Sequence, residues 1–244
     1  MADYNDPRTT TTGFGSVPRA GGQVVFDAGL RKHMLSIYNY MTSGVLLTGV
    51  VALLTARSGL AYTFATGPLM WLVALAPLAI VFAMSFGANR FSKTSLQAMF
   101  WAFAVLMGLS LSTIFLVYTG GSIAVTFFAT AAAFAGLSLW GYTTQKSLSA
   151  WGSFLVMGVV GLVVAMLINM FVRSPALMYA ISFIGVLIFA GLTAYDTQRL
   201  KEQYAHLRGT EWAGKAIVLG ALQLYLDFIN MFMFLLRFMG SSRS

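Results

Sequence analysis

Seven apolar runs, at residues 37–55, 69–86, 96–117, 123–141, 154–172, 177–195 and 216–238, leave this chain few folds to choose from. As helices rising 1.5 Å per residue, each is about long enough to cross ~30 Å of hydrocarbon. The strand-length alternation of a transmembrane barrel is missing. The expected fold class is therefore an all-α integral membrane protein, a seven-transmembrane-helix bundle over residues 26–240 behind an N-terminal arm, 1–25. Composition points the same way: 58% of the residues are hydrophobic and only 9% are charged, which belongs to polytopic membrane proteins.

The punctuation between the runs suits helices. The arm is rich in Thr, Gly, Pro and Ser, has no periodicity, and reads as disordered. It lacks the charged, apolar, then small-residue order of a cleavable signal peptide. Phe26, Leu30, Met34 and Ile37 recur at helical spacing beside Arg31 and Lys32, which predicts a short interfacial lead-in helix. Pro68 and Pro175 stand at first-turn positions, the latter after an N-capping Ser174. Gly120 and Gly121 predict a tight reversal, and Pro77 a kink in the second run. Small residues four apart, Ala104/Gly108/Ser112 and Gly161/Ala165, predict close helix contacts.

Charge sets the orientation. Arg8, Arg19, Arg31, Lys32, Arg90, Lys93, Lys146, Arg199, Lys201, Arg208 and Lys215 fall on one side, and Arg57, Arg173, Arg237 and Arg243 on the other. Positive-inside bias then predicts a cytoplasmic N-terminus and, after seven spans, an external C-terminus. Because these cations cluster between apolar runs, the net charge of +8 reflects topology, and no nucleic-acid partner is expected. With no cysteine, the chain has no disulfide, haem attachment or thiolate metal site. Both histidines, His33 and His206, fall in polar segments, so an intramembrane Ser–His pair is not expected.

Only seven acidic residues exist in the chain, yet Asp196 and Asp227 lie in membrane-depth sequence. A charge at the bilayer centre costs at least ~2.5–3.5 kcal/mol, so such residues face a bundle interior and usually carry function. The sixth helix, expected to end near Leu200, puts Asp196 about one turn from the cytoplasmic boundary, while Asp227 lies about three turns, ~16 Å, inside the seventh; if the sixth continues into the polar tail Gln198-Arg-Leu-Lys-Glu-Gln203, the two come closer in depth. Gly220, Gln223, Asp227 and Asn230 share one face of that helix, which places it centrally. Asn169 is a further interior polar candidate, and Arg90 is a cation within reach of the aspartates. The plainer readings are a helix-end Asp196 paired with Arg199 or Lys201, and Gln223 and Asn230 as interhelical glue.

Three segments carry a family resemblance: Ala221-Leu-Gln-Leu-Tyr-Leu-Asp-Phe-Ile-Asn-Met-Phe-Met-Phe-Leu-Leu-Arg-Phe238, Ala194-Tyr-Asp-Thr-Gln-Arg-Leu-Lys201, and Tyr142-Thr-Thr-Gln-Lys-Ser-Leu148 before Trp151-Gly-Ser-Phe154. They resemble the transmembrane Bax-inhibitor-motif family from the lead-in helix to the C-terminus. The resemblance implies six helices around a central seventh, a bacterial inner-membrane location, and a pH-sensitive calcium leak gated by a di-aspartyl unit. Residue by residue, it carries the pH sensor and ion gate onto Asp196 and Asp227, and an arginine latch onto Arg90. Ser147-Leu148 departs from the acidic residue common at that point, and the loop holding Gly209-Thr-Glu-Trp-Ala213 is longer than in compact members.

Two carboxylates in a dry site cannot easily both ionise and would titrate as a unit. With one shared proton and Arg90, they would clamp helices two, six and seven, and full protonation would loosen that clamp. The same pair would meet Ca²⁺ only transiently, because the ion takes about six to eight oxygens. No cofactor and no enzymatic activity are expected. Expected partners are membrane lipid, Ca²⁺ and H⁺. The alternative is a regulatory role on a membrane-anchored protease or in a stress or cell-death response. An intramembrane aspartyl protease ranks a distant third, since Leu224-Tyr-Leu226 stands where its Gly-x-Gly element would precede Asp227. A solute transporter is weaker still, with no discontinuous helix pair in sight.

Overall fold

The computed structural model describes residues 28–243; the arm 1–25 and Phe26 lie outside them. The helices are α1 (Ala28–Arg57), α2 (Leu60–Thr66), α3 (Leu69–Gly87), α4 (Lys93–Leu111), α5 (Ile114–Val117), α6 (Gly120–Thr143), α7 (Ser149–Val172), α8 (Pro175–Leu207) and α9 (Trp212–Met239). Seven segments are long and apolar enough to span a membrane, with α4 and α5 acting together as Lys93–Val117. The protein is thus an all-α integral membrane protein. Trp71, Phe86, Phe128, Phe154 and Phe171 are all exposed on the outer helices, a surface that suits lipid and not water.

The seventh span is the centre of the bundle. Of its most apolar stretch 67% is buried by protein, while no other span exceeds 39%. Helix α9 packs against α8, α1, α6 and α4. Burial runs around it, from Val218 and Ala221 through Leu224, Tyr225, Phe228 and Met231 to Leu236, so the polar stripe is one buried face among several.

Close approach is set by small residues and one hydroxyl relay. A Cβ on Gly108 would come within 2.8 Å of the Thr48 carbonyl, so α4 lies directly on α1 there. Thr48 Oγ1 donates to the Ala104 carbonyl at 2.8 Å and stands 2.7 Å from the Tyr225 hydroxyl. Its single hydrogen is used on Ala104, so Tyr225 donates to Thr48, and α9, α1 and α4 are tied at one point. A Cβ on Gly141 would collide with the Ala194 carbonyl group, so α6 and α8 touch backbone to backbone.

Several local expectations change. The lead-in is no separate helix: Leu30 and Met34 belong to α1, whose apolar face runs unbroken into the first span. Gly120 and Gly121 are the first residues of α6, capped by Thr119 through Ser122 N. The reversal is made by Tyr118 and Thr119, held by Ser241 and Arg243 of the C-terminal tail. Gly161 has no neighbour near its Cβ position; Gly158 and Gly191 make the α7–α8 approach instead, against Ile188 and Leu155. Pro77 lies inside α3, where the sequence puts it. Ser174 caps α8 ahead of Pro175 as the sequence predicts, accepting from Leu177 N at 3.3 Å.

Gly141→Ala is expected to destabilise the bundle by about 1–3 kcal/mol through overpacking. Gly136→Ala, where the Cβ meets open space, should be neutral or stabilising by up to about 1 kcal/mol. Thermal unfolding in detergent compares the two. Tyr225→Phe removes one interhelical hydrogen bond and should cost about 0.6–1.7 kcal/mol in the same assay.

Candidate functional site

Helix α8 does not stop near Leu200 but runs on to Leu207. Asp196 therefore lies ~16 Å from the end of its helix, and Asp227 ~22 Å from the start of α9, at 1.5 Å per residue. The longer α8 narrows the difference in depth between the two. Both are buried, at 5% and 4% exposure, and the Asp196 side chain lies within interaction range of those of Asp227 and Gln223. A carboxylate has no hydrogen to donate, so a carboxyl–carboxyl hydrogen bond contains at least one proton. Among the described residues, Asp227 Oδ2 is a buried side-chain oxygen without a partner.

The sequence around Asp196 fastens this site to the α6–α7 connection. Ala194 abuts Gly141, and the Tyr195 ring fills the space a Cβ on Gly152 would need. Thr197 Oγ1 donates to Ser138 Oγ at 3.4 Å, and the Tyr38 hydroxyl from α1 joins the same pair. Gln198 closes the loop from both ends of its amide, accepting from Leu148 N at 2.7 Å and donating to the Lys146 carbonyl at 2.9 Å. Lys201 Nζ donates to the Tyr142 carbonyl at 2.7 Å. The two shorter motif segments thus meet in space, with Asp196 between residues that hold α8 to the α6–α7 connection.

A pocket of about 350 Å³ enters from the face where α8 ends and α9 begins. Gln203, His206 and Trp212 line it, and Gln223, which neighbours Asp196, is the lining residue farthest along α9. Beyond Asp227, α9 offers the buried Phe228, Met231, Phe232 and Leu236.

Of the other candidates, the structure brings Gln223 to the pair and leaves three away. Arg90 is exposed in the turn after α3, and the positive charge acting on Asp196 comes from Arg199. The tie between α3 and α9 is Lys215, whose Nζ donates to the Ala88 carbonyl at 3.3 Å and lies 5.0 Å from the Trp212 ring centre. Asn230 turns back to its own helix, donating to the Leu226 carbonyl at 2.8 Å. Asn169 is buried, but at the opposite end of the bundle, where Oδ1 accepts from Ser174 N at 3.0 Å and shapes the α7–α8 turn. His33 is also relocated: it is buried, with its ring centre 5.1 Å from that of Tyr204. Sequence reasoning missed Gln198 and Tyr38. The first had a signal, standing two residues past Asp196 in a quoted motif, whereas the second had none.

Among the described residues no three His, Asp or Glu side chains gather into a metal-binding group. The site offers a cation two carboxyl groups and one amide oxygen, against the about six to eight oxygens Ca²⁺ takes. That arrangement can hold and release protons and contact a cation briefly.

Comparison with known proteins agrees with this architecture. The family described as "Inhibitor of apoptosis-promoting Bax1" matches residues 30–244. An uncharacterized protein of Caulobacter vibrioides is 45% identical over 240 residues, covering 93% of this chain and 96% of its own. A Rickettsia prowazekii protein is 42% identical over 245 residues and 100% of both chains. The inner membrane protein YbhL of Escherichia coli is 44% identical over 230 residues, 93% of this chain and 98% of its own. With the family matched across all seven spans, this chain belongs to the Bax inhibitor family of integral membrane proteins.

Proposed function

We propose that the protein is a pH-sensitive cation leak, with Ca²⁺ as its permeant ion and the Asp196–Asp227 pair as sensor and gate. The observation that carries this reading is the contact of two buried carboxyl groups from different helices. With one shared proton the contact is an attractive O–H···O⁻ bond that joins α8 to α9. Without it, two like charges face each other at low dielectric and push the helices apart. The same loss leaves two anionic oxygens facing the site, which favours a cation. Leak therefore rises as pH rises through the titration of the pair, and falls as protons return.

The pocket ending at Gln223 supports an approach from the α8–α9 turn, and the apolar residues beyond Asp227 suit a closed state. Among the described residues, nine of the thirteen Lys and Arg lie on the side of that turn, which favours its facing the cytoplasm in a bacterial inner membrane. A latch through Arg90 finds no support in its exposed position, so the gate is assigned to the carboxyl pair alone.

Calcium flux into liposomes holding the purified protein tests this. Asp227→Asn supplies a permanent amide donor to Asp196 and imitates the singly protonated pair, so flux should stay low and lose its rise with pH. Wild-type pH dependence in that variant would remove the pair from the gate. Arg90→Gln should leave the pH profile where it was, and an abolished profile would restore the latch.

A further inference from the structure

Helices α1 and α6 both lean on α9 yet barely touch each other. The gap is a side-opening cleft of about 620 Å³. Met34, Met41 and Val45 form one wall, Phe127 and Phe134 the other, and Phe228 of α9 the floor. From Arg31 to Leu46 the α1 wall is ~22 Å long at 1.5 Å per residue, beyond the depth of one leaflet, half of ~30 Å. A lining this apolar at membrane depth gives water few partners and suits hydrocarbon.

The mouth is charged. Arg31 lines both this cleft and a second, surface pocket that also holds Lys32, Ser36 and Asn39. Arg31 and Lys32 are exposed, and among the described residues no acidic side chain lines either pocket. Two cations thus sit where the apolar cleft reaches the membrane surface, the place a lipid phosphate occupies when its chain lies below it. We propose that this cleft is a binding site for one anionic glycerophospholipid, with an acyl chain between α1 and α6 and the phosphate on Arg31 and Lys32. The site abuts the gate: Tyr38 and Ser138 line the cleft, and their hydroxyls meet that of Thr197, the residue after Asp196. An acyl chain there would brace the α1–α6–α8 wall behind the carboxyl pair, whatever ion the pair admits.

Native mass spectrometry of the full-length protein, exchanged into phosphatidylglycerol or phosphatidylcholine and then stripped by detergent, tests the assignment. The wild type should retain a single phosphatidylglycerol, in preference to phosphatidylcholine by about fivefold for each cation engaged. The double variant Arg31→Gln, Lys32→Gln should lose the preference. Ala135→Trp fills the cleft from its lipid-exposed rim and should lose both lipids while keeping the wild-type unfolding temperature. Equal retention of the two lipids by the wild type, or wild-type retention by Ala135→Trp, would overturn the proposal. So would retention of neither lipid with the Ala135→Cys thiol shielded from a membrane-soluble maleimide, which would give the cleft to the protein's own N-terminal residues or a second copy.

Discussion

The meeting of Asp196 and Asp227 governs the rest of the bundle. Burying two carboxyl groups is costly unless each finds a partner, and here each is the other's partner, with Gln223 beside them. That requirement explains why α8 and α9 lie close and why α9 is surrounded by protein. The contact works only if its two supports do not drift. On the α8 side, rigidity comes from the zipper of Ala194, Tyr195, Gln198 and Lys201 against the α6–α7 connection. On the α9 side, it comes from Tyr225 bonded through Thr48 to Ala104.

This division suits a switch. In the proposed gate, a carboxyl pair whose net attraction depends on one proton is a bistable contact, and the scaffold on either side would turn its loss into relative motion of α8 and α9. A pocket that reaches Gln223 opens where α8 ends and α9 begins. Deeper along α9 the packing is aromatic and aliphatic down to Leu236.

Much of this was legible in the chain itself. Membrane spans declare themselves by length and apolarity, and a lone carboxylate in such a span must turn inward, so the seven helices, the central last helix and the two aspartates could be read directly. Less legible was whatever depends on where two helices touch. Gly141 looks like any glycine in an apolar run, and only the approach of Ala194 shows why a side chain fails there. Gly161 looked equally suited to contact and faces outward. Asn169 and Asn230 were correctly seen as polar groups in apolar sequence, but each satisfies itself locally, on a turn or on its own helix, a choice that spacing does not reveal. Arg90 was placed by family analogy, and the neighbouring Lys215 holds the α3–α9 contact instead.

The account rests on one proton held between two aspartates inside the bundle. Infrared difference spectroscopy of the protein in lipid, titrated across neutral pH, reads the carbonyl stretch of a protonated carboxylic acid directly. One such band should be present at the low end, disappear as pH rises, and be missing throughout in Asp227→Asn. A wild-type protein without that band at any pH, or a band unaffected by Asp227→Asn, would contradict the shared proton and the gate built on it.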